Sequence, residues 1–378
     1  MRYRIEKDSI GELQIPAEAY YGIYSARSAN NFAITKRGIS RQMIKALTIV
    51  KKAAAKANWD ADEIDSDVAE AIMSSCDEIL NGRLHGQFIT DLIQGGAGIG
   101  MHMNANEVIA NRANEMLGGR KGIYEFVHPI NHVNKNQATD NVLLTATKIA
   151  LIKQLKKLQV ELKKLQNSFV IKSKECEQLS TAENVTMHVS YDLSACGNVL
   201  IRDLKRIDLA ISSLSDVNMG GIDQSETLHP KYLKKVILYL NKFSGEELSS
   251  AKDINDSTRN LDSFVYVSSI LRVLATNLSK ISNDIRLLAY NNELSLPILQ
   301  TSLSDNEISL IIPEAMNQIS FYVYGLDATI TKACEAGQLE SNVFTPIIFM
   351  SLFEQITSLR RGIRTLREKA IEGITTKK

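Results

Sequence analysis

The sequence predicts an all-α fold: an elongated helical bundle with a smaller, mainly helical N-terminal domain. From residue 141 onward, apolar residues recur at alternating steps of three and four, the spacing of helices that pack nearly parallel along their length. The second observation is the scarcity of proline, of which the 378 residues contain only six. Between Pro129 and Pro230, and from there to Pro297, no proline is present to interrupt a helix.

Residues 1–140 lack this repeat and are therefore assigned to a separate domain. The segment from Ile15 to Phe32 is polar and rich in turn-forming residues. We predict an N-terminal domain over residues 1–140 and a central helical bundle over residues 141–372.

The bundle is predicted from five apolar stripes, each of which advances by three or four residues. They run from Leu151 to Phe169, from Leu200 to Leu214, from Phe264 to Leu288, from Ile312 to Ile330 and from Leu352 to Leu366. The longest helices are expected within residues 141–175 and 260–290. A single extended coiled coil is the alternative, but the polar segments 218–230 and 289–297 would let the helices fold back as a bundle.

Aliphatic residues outside the stripes, such as Val160, Val170 and Ile171, widen the apolar faces of the predicted helices. A helix that is apolar on more than one side is usually buried on more than one side. The sequence therefore predicts an oligomer.

Composition and charge exclude several classes of function. With 44% apolar residues, 23% charged residues and a net charge of +1, the chain is typical of a globular protein and has no basic excess for nucleic acid or an anionic membrane. No apolar run reaches the roughly 18 residues of a membrane span, and the N-terminus has no signal-like apolar segment. Four dispersed cysteines without a CxxC pair predict reduced thiols in the cytoplasm, and six histidines without an HExxH motif predict neither a metal site nor another cofactor.

Glycines, asparagines and single polar residues are concentrated between Gln94 and Asn141, at fixed spacing in a segment that otherwise favours helix. Buried amides must all find partners, so a segment that only fills a core does not need them. Five blocks are distinctive: GAGIGMHMNANEVIANRANEMLG, HVNKNQATDN, LSKISNDIRLLA, PEAMNQ and EAGQLESNV. In these blocks the chain strongly resembles the aspartase/fumarase superfamily, and within it the aspartate ammonia-lyase branch.

The resemblance implies a chemistry. Members remove a proton beta to an amine or hydroxyl and next to a carboxylate, and the amine or hydroxyl then leaves. This requires donors for a doubly charged aci-carboxylate, a base near the carbon acid and a clamp for the second carboxylate. The resemblance also implies a homotetramer, a small amino or carboxylic acid as the ligand, and a small C-terminal domain, which we expect to be absent because the chain ends at EGITTKK.

Several positions that the resemblance assigns to donors hold other residue types. The donor threonine of the family's GAGTS motif corresponds to Ile99, and a serine donor of its STND motif corresponds to Ala138. Thr139 is retained, whereas an amide has become Asp140, to which Thr139 and Asn141 are expected to donate. Like charges about 4 Å apart at an effective dielectric of roughly 20 repel by about 4 kcal/mol, so we expect Asp140 to favour a cationic or neutral group.

The resemblance places the base, a serine, on a mobile loop with the pattern GSSxMPxKxNP. The corresponding segment, TSLSDNEISLII, lacks lysine, glycine and proline, and a serine without an activating partner is a weak base. Ser302 and Ser304 are the candidates for the catalytic base, and both are also explained as loop or helix-capping serines. The histidine of many members corresponds to Ser180, and His188 is interpreted as a surface or packing residue.

The remaining polar residues form the predicted substrate-binding set: Asn104, His132, Gln137, Thr139, Asp140 and Asn141. The alternative for Asn104, His132 and Gln137 is that their side chains brace loops. Two functions are compatible with this pattern. One is a lyase with an altered substrate preference and negligible ordinary aspartase activity, and the other is a catalytically inactive paralogue that acts as a binding or partner subunit.

Overall fold

The computed structural model describes residues 2–179, 184–220, 228–297, 310–339 and 341–376. It is 70% helical with only small strands, which confirms the predicted all-α class. Within these described ranges, no helix is both long enough and apolar enough to cross a membrane.

Helices follow one another along most of the chain, and short strand pairs lie between them. The helices are α1 (Ile23–Asn31), α2 (Arg41–Asp60), α3 (Ser66–Leu80), α4 (Ile99–Met116), α5 (Thr139–Leu179), α6 (Asn184–Ser212), α7 (Pro230–Ser244), α8 (Ile254–Arg259), α9 (Asp262–Tyr290), α10 (Ile311–Glu335) and α11 (Thr345–Lys369). The strands pair in twos: β1 (Tyr3–Lys7) with β2 (Glu12–Pro16), β3 (Asp216–Val217) with β4 (Ser249–Ser250), and β5 (Leu294–Ser295) with β6 (Thr375–Thr376). A π-helical turn lies at Pro129–Val133, and a 3-10 turn at Gly96–Gly98 leads into α4.

Two compact units can be distinguished in the backbone, and each is built from separate stretches of the chain. The first comprises Met1–Ile152, Leu214–Leu261 and Ala333–Met350. In it, α2 packs against α3 and α7, and α4 packs against α1 and α3. Small side chains in the alanine-rich sequence KKAAAKAN are buried in α2 and let these neighbours approach closely. The predicted division of the chain between residues 140 and 141 stays a prediction.

The N-terminal hairpin of β1 and β2 was not predicted from the sequence. Arg4 fixes it by donating hydrogen bonds to the carbonyl oxygens of Pro16, Ala19 and Tyr21 at 2.8–3.0 Å. Next to it, the buried Glu107 carboxylate accepts from three backbone N–H groups at the start of α1. A carboxylate at a helix N-terminus satisfies amides that have no partner within the helix.

The second unit comprises Lys153–Ser213, Asp262–Lys332 and Ser351–Lys378. The predicted apolar stripes are buried here, with Leu155, Leu271 and Leu359 all at 0% exposure. At 41 and 29 residues, α5 and α9 agree with the predicted longest helices, and α6 equals α9 in length. A buried polar group also joins three helices, because Gln355 Nε2 donates to Ser268 Oγ at 3.1 Å and Ser268 Oγ donates to Asp327 Oδ1 at 2.6 Å.

Candidate functional site

The glycine-rich loop before α4 has a run of left-handed backbone. Gly96, Ala97 and Gly98 have φ angles of 67°, 54° and 82°. Such a φ angle is uncommon for a residue with a side chain, and the Thr345 hydroxyl holds the loop by donating to the Ala97 carbonyl oxygen at 3.1 Å. Ile99, which follows this turn, is 41% exposed. The loop therefore presents an aliphatic side chain at the position where the resemblance places a donor.

Gly100 has no room for a side chain. A Cβ atom there would lie 2.2 Å from Ser28 Oγ and 2.8 Å from Gln94 Oε1. The Gln94 carboxamide is itself fixed, because its Oε1 accepts from the Met101 N–H at 2.9 Å. A larger residue at position 100 would consequently displace the Ser28 hydroxyl, which is buried and has no hydrogen-bond partner within the described structure.

A cluster of polar side chains surrounds the amine of Lys51, which projects from α2 and is fully buried. Its Nζ lies 2.7 Å from His102 Nε2, 2.7 Å from Asn134 Oδ1 and 3.0 Å from Gln137 Oε1. Helix α4 supplies the histidine, and the segment between the π-helical turn and α5 supplies both amides. We refer to Lys51, His102, Asn134, Gln137 and Thr139 as the Lys51 cluster.

Thr139 is the member of the Lys51 cluster that lies at the start of α5. Its Oγ1 is 3.0 Å from His102 Nδ1, and the residue is half-buried. Burial lowers the pKa of Lys51 well below its usual range and, with the nearby Lys51, does the same to the pKa of His102. Polar contacts therefore extend without a break from a fully buried amine to a half-buried hydroxyl.

Asp140 follows in the first turn of α5 and is half-buried. The expected hydrogen bonds from Thr139 and Asn141 are not present, and its carboxyl has no hydrogen-bond or ion-pair partner within the described ranges. Burial raises the pKa of Asp140, whereas the helix N-terminus favours a negative charge. The half-buried Asp140 carboxyl, which has no partner in the described ranges, is therefore the group most available to bind a ligand.

Asn141 belongs to a different polar group. It is 2% exposed, and its Oδ1 accepts from Asn218 Nδ2 at 3.3 Å and from Thr258 Oγ1 at 3.2 Å. The Asn218 carboxamide in turn accepts from the Gly220 N–H at 2.8 Å. This group braces the turn after β3 against α5 and α8.

Asn104 and His132 also make local contacts. Asn104 is fully buried, accepts from the Ile89 N–H at 2.8 Å and donates to the Gln87 carbonyl oxygen at 3.0 Å. His132 is half-buried, and its Nδ1 accepts from the His128 N–H at 3.0 Å. Burial lowers the pKa of His132, and the neighbouring His128 adds to this effect.

The structure thus brings Gln137 and Thr139 together in the Lys51 cluster, and it places Asn104, His132 and Asn141 in other local networks. Their roles as substrate ligands stay predictions. The candidate bases Ser302 and Ser304, and also Ser180, lie outside the described residues. His188 is exposed at the surface, 3.6 Å from Asp192.

Sequence reasoning missed Lys51 and His102, although both had a detectable signal. Lys51 lies on the apolar face of α2, next to a run of alanines. This position indicates that the lysine side chain is buried. His102 lies on α4 between two methionines. A lysine in a buried phase needs several acceptors, and the amides of HVNKNQ were available to supply them.

Side chains that could bind a metal ion are not grouped in the described part of the chain. Across the described ranges, no three histidine, cysteine, aspartate or glutamate side chains are grouped so that they could hold a metal ion. None of the four cysteines forms a disulfide bond.

Comparison with known proteins gives consistent matches. The family model described as lyase matches residues 11–317. Aspartate ammonia-lyase of Bacillus subtilis (strain 168) is 41% identical over 387 residues, which cover 98% of this chain and 82% of that protein. Aspartate ammonia-lyase of Bacillus sp is 40% identical over 386 residues with the same coverage.

Among solved structures, the fumarate lyase:delta crystallin from Brucella melitensis in native form superimposes with a TM-score of 0.92 at 34% identity. The match covers 99% of this chain and 89% of that one.

Proposed function

The chain belongs to the lyase family of the aspartase/fumarase superfamily, and on that premise we propose that it catalyses C–N or C–O elimination on a small amino or carboxylic acid with an altered substrate preference. The half-buried, unpartnered Asp140 carboxyl is the observation that carries the proposal. It lies in the segment that the resemblance assigns to the donors for the substrate carboxylate. A negative charge there disfavours a second carboxylate and favours a cationic group.

The retained polar residues support a ligand-binding role for the same segment. Thr139 remains at the start of α5, and the Lys51 cluster holds it in place through His102. The substrate would be a small acid that carries an amine or another N–H group toward Asp140. Ser302 and Ser304 remain the proposed candidates for the base that removes the carbon-bound proton.

A catalytically inactive paralogue is the second candidate, and the geometry of the glycine-rich loop favours it. Ile99 is a half-exposed aliphatic side chain in place of a donor, and Gly100 cannot accept a side chain without displacing Ser28. Each missing donor at such a site costs about 2.7–4 kcal/mol of transition-state stabilisation. Such a chain would bind a ligand or an active partner subunit without turning over substrate.

A ligand screen followed by a product assay separates the two candidates. Thermal unfolding is measured with dicarboxylates, amino acids and polyamines, since a ligand that binds the folded state raises the unfolding midpoint, by an amount that grows with the logarithm of its affinity. Stabilising amino acids are then tested for release of ammonia, and stabilising hydroxy acids for formation of an unsaturated acid. The lyase proposal expects both stabilisation and product from at least one compound, and stabilisation without any product supports the inactive paralogue.

We also propose that the protein assembles as a homotetramer in the cytoplasm. The exposed aliphatic residues Val160, Ile171 and Leu209, at 55–58% exposure on α5 and α6, support burial of these faces between subunits. Light scattering at micromolar concentration is expected to give four times the mass of the 42.0 kDa chain. A monomer would contradict this proposal.

A further inference from the structure

The two amides of the Lys51 cluster have fixed orientations. Asn134 Nδ2 donates to the Gln137 carbonyl oxygen at 3.1 Å, and Gln137 Nε2 donates to the Val133 carbonyl oxygen at 3.0 Å. The amide nitrogens are therefore turned away from Lys51, and both amide oxygens are turned toward it. Because these oxygens can only accept, Lys51 must donate two N–H bonds to them.

The third contact of Lys51, to His102 Nε2 at 2.7 Å, is compatible with two arrangements of hydrogens. A charged ammonium would donate its third N–H to Nε2, and Nδ1–H would then donate to Thr139. A neutral amine would instead accept a bond from Nε2–H, and Nδ1 would then accept from the Thr139 hydroxyl. Both arrangements satisfy every polar atom of the cluster, so the number of hydrogen bonds does not distinguish them.

Charge does distinguish them. Lys51 is fully buried, and its three hydrogen-bond partners are neutral side chains. An ammonium without a counter-ion in such a place loses several kcal/mol of hydration, which neutral acceptors only partly restore. Burial accordingly lowers the pKa of Lys51 and of His102. The arrangement with two neutral side chains is therefore the stable one.

We infer that the neutral Lys51 amine accepts a hydrogen bond from His102 Nε2–H, that His102 Nδ1 accepts from the Thr139 hydroxyl, and that Thr139 consequently presents its oxygen to the ligand as an acceptor. Thr139 is half-buried and its hydroxyl has no other hydrogen-bond partner in the described structure, so both of its lone pairs are available. In this scheme Thr139 is a binding residue, and Lys51 and His102 are positioning residues.

The inference assigns a ligand chemistry to this position. The resemblance implies that Thr139 donates to a carboxylate, but an accepting Thr139 binds an N–H donor such as a substrate ammonium. The adjacent Asp140 carboxylate is also an acceptor, so two consecutive residues at the start of α5 have the same preference. This assignment rests on the proposed function for the identity of the cleft, whereas the direction of the hydrogen bonds rests on the cluster alone.

Nitrogen-15 NMR of histidine-labelled protein tests the direction of the hydrogen bonds without any ligand. The two ring nitrogens of a neutral imidazole have distinct shifts, so the protonated nitrogen is identified directly. The His102 signals are assigned by their loss in His102→Gln, or by replacement of the other five histidines one at a time. We expect a neutral ring protonated at Nε2, and either Nδ1–H or an imidazolium would overturn the inference whether or not the protein is an enzyme.

A binding comparison tests the consequence for the ligand. L-Aspartate and succinate carry the same two carboxylates and differ in the ammonium group, so their affinity ratio isolates the contact to that group. We expect Thr139→Val to lower the ratio of L-aspartate to succinate affinity by about threefold to tenfold, the usual value of one hydrogen bond. The matched control, Thr139→Ser, keeps the hydroxyl and should leave the ratio within about twofold.

A Thr139→Val variant that weakens succinate at least as much as L-aspartate would show that Thr139 donates to a carboxylate, and it would overturn the inference. If neither compound binds, the nitrogen-15 spectrum of His102 alone tests the direction of the hydrogen bonds. Absence of turnover on every amino acid would remove the proposed function and leave the spectroscopic result unaffected.

Discussion

Two carboxyl groups on helix α5 have opposite environments. Glu161 is only 4% exposed, yet Arg364 donates to it at 2.8 Å and Lys164 lies 3.4 Å away, and these contacts hold its pKa below the usual range. Asp140 is less buried but has no partner in the described ranges, and burial raises its pKa. Partners therefore outweigh burial at Glu161, whereas burial acts alone on the pKa of Asp140. The contacts of Glu161 stabilise the fold, whereas the Asp140 carboxyl is left to bind a ligand.

The largest expected effect of this difference is on turnover. We predict that ammonia release from L-aspartate and hydration of fumarate are at least about a thousandfold slower than an ordinary turnover of roughly 10 per second. The unpaired charge of Asp140 alone accounts for about 4 kcal/mol of repulsion, and Ile99 and Ala138 cannot replace the missing donors. An ammonia assay measures the first rate and loss of fumarate absorbance measures the second, and turnover at the ordinary rate would show that Asp140 is compensated by an unrecognised cation.

The same reasoning applies to Lys51, a buried amine without a counter-ion. Its folded pKa is lowered, so the unfolded chain, with a lysine pKa near 10.4, binds one more proton than the folded chain over the interval between the two values. The contribution of Lys51 to stability therefore rises as pH rises through that interval, by about 1.4 kcal/mol per pH unit. Denaturant titrations should show that wild type gains stability over Lys51→Met as pH rises from the lowered folded pKa toward the unfolded value near 10.4.

The matched control for this titration is Lys52→Met. Lys52 lies on the same helix as Lys51, and its side chain pairs with the exposed Asp77 on α3. Cys76 lies nearby, and burial raises its pKa to about 12, but it is common to all three proteins and cancels in the differences. A gain that is absent for Lys51→Met, or equal for both variants, would mean that Lys51 is charged in the folded protein.

Glu161→Gln and Asp140→Asn should differ in their effect on folding. Glu161→Gln leaves Arg364 and Lys164 without their carboxylate and should lower the free energy of unfolding by about 1–2 kcal/mol near neutral pH. Asp140→Asn removes no contact and should change it by less than about 0.5 kcal/mol. Urea denaturation of the two variants beside wild type makes this measurement.

Urea denaturation of the same proteins at low pH should also distinguish Glu161 from Asp140. Glu161 has a lowered folded pKa, so its stabilisation is present above the unfolded value of about 4.3 and is lost as pH falls through the folded pKa. Asp140 has a raised folded pKa, so wild type loses stability relative to Asp140→Asn as pH rises from about 3.9 through the folded value. Slopes of the same sign in the two comparisons would contradict the assigned environments.

The sequence predicted the bundle well because apolar spacing is a local property of each helix. The stripes of α5, α9 and α11 are buried as expected, and residues such as Leu155 and Leu359 have no exposed surface. The hairpin of β1 and β2 escaped prediction because Arg4 stabilises it through carbonyl oxygens that lie 12 or more residues away. Such contacts leave no periodic signal.

The candidate site was predicted only in part, for a related reason. Asp140 was recognised because a charge replaced an amide within a motif. Lys51 was not recognised, because its function depends on His102, Asn134 and Gln137, which come from segments 51 to 86 residues away. The direction of a hydrogen bond through a histidine depends on the protonation of both neighbours, and no sequence pattern specifies that.

The central claim is that the Asp140 carboxyl faces the ligand, and Asp140→Asn tests it most directly because the substitution removes the charge at nearly constant shape. Isothermal titration with succinate should give millimolar or weaker binding to wild type and about tenfold tighter binding to the variant, a difference of about 1.4 kcal/mol. Any binding of amines should be lost in the variant. If both proteins bind succinate equally well, Asp140 points away from the ligand, and the altered-substrate account loses its main support.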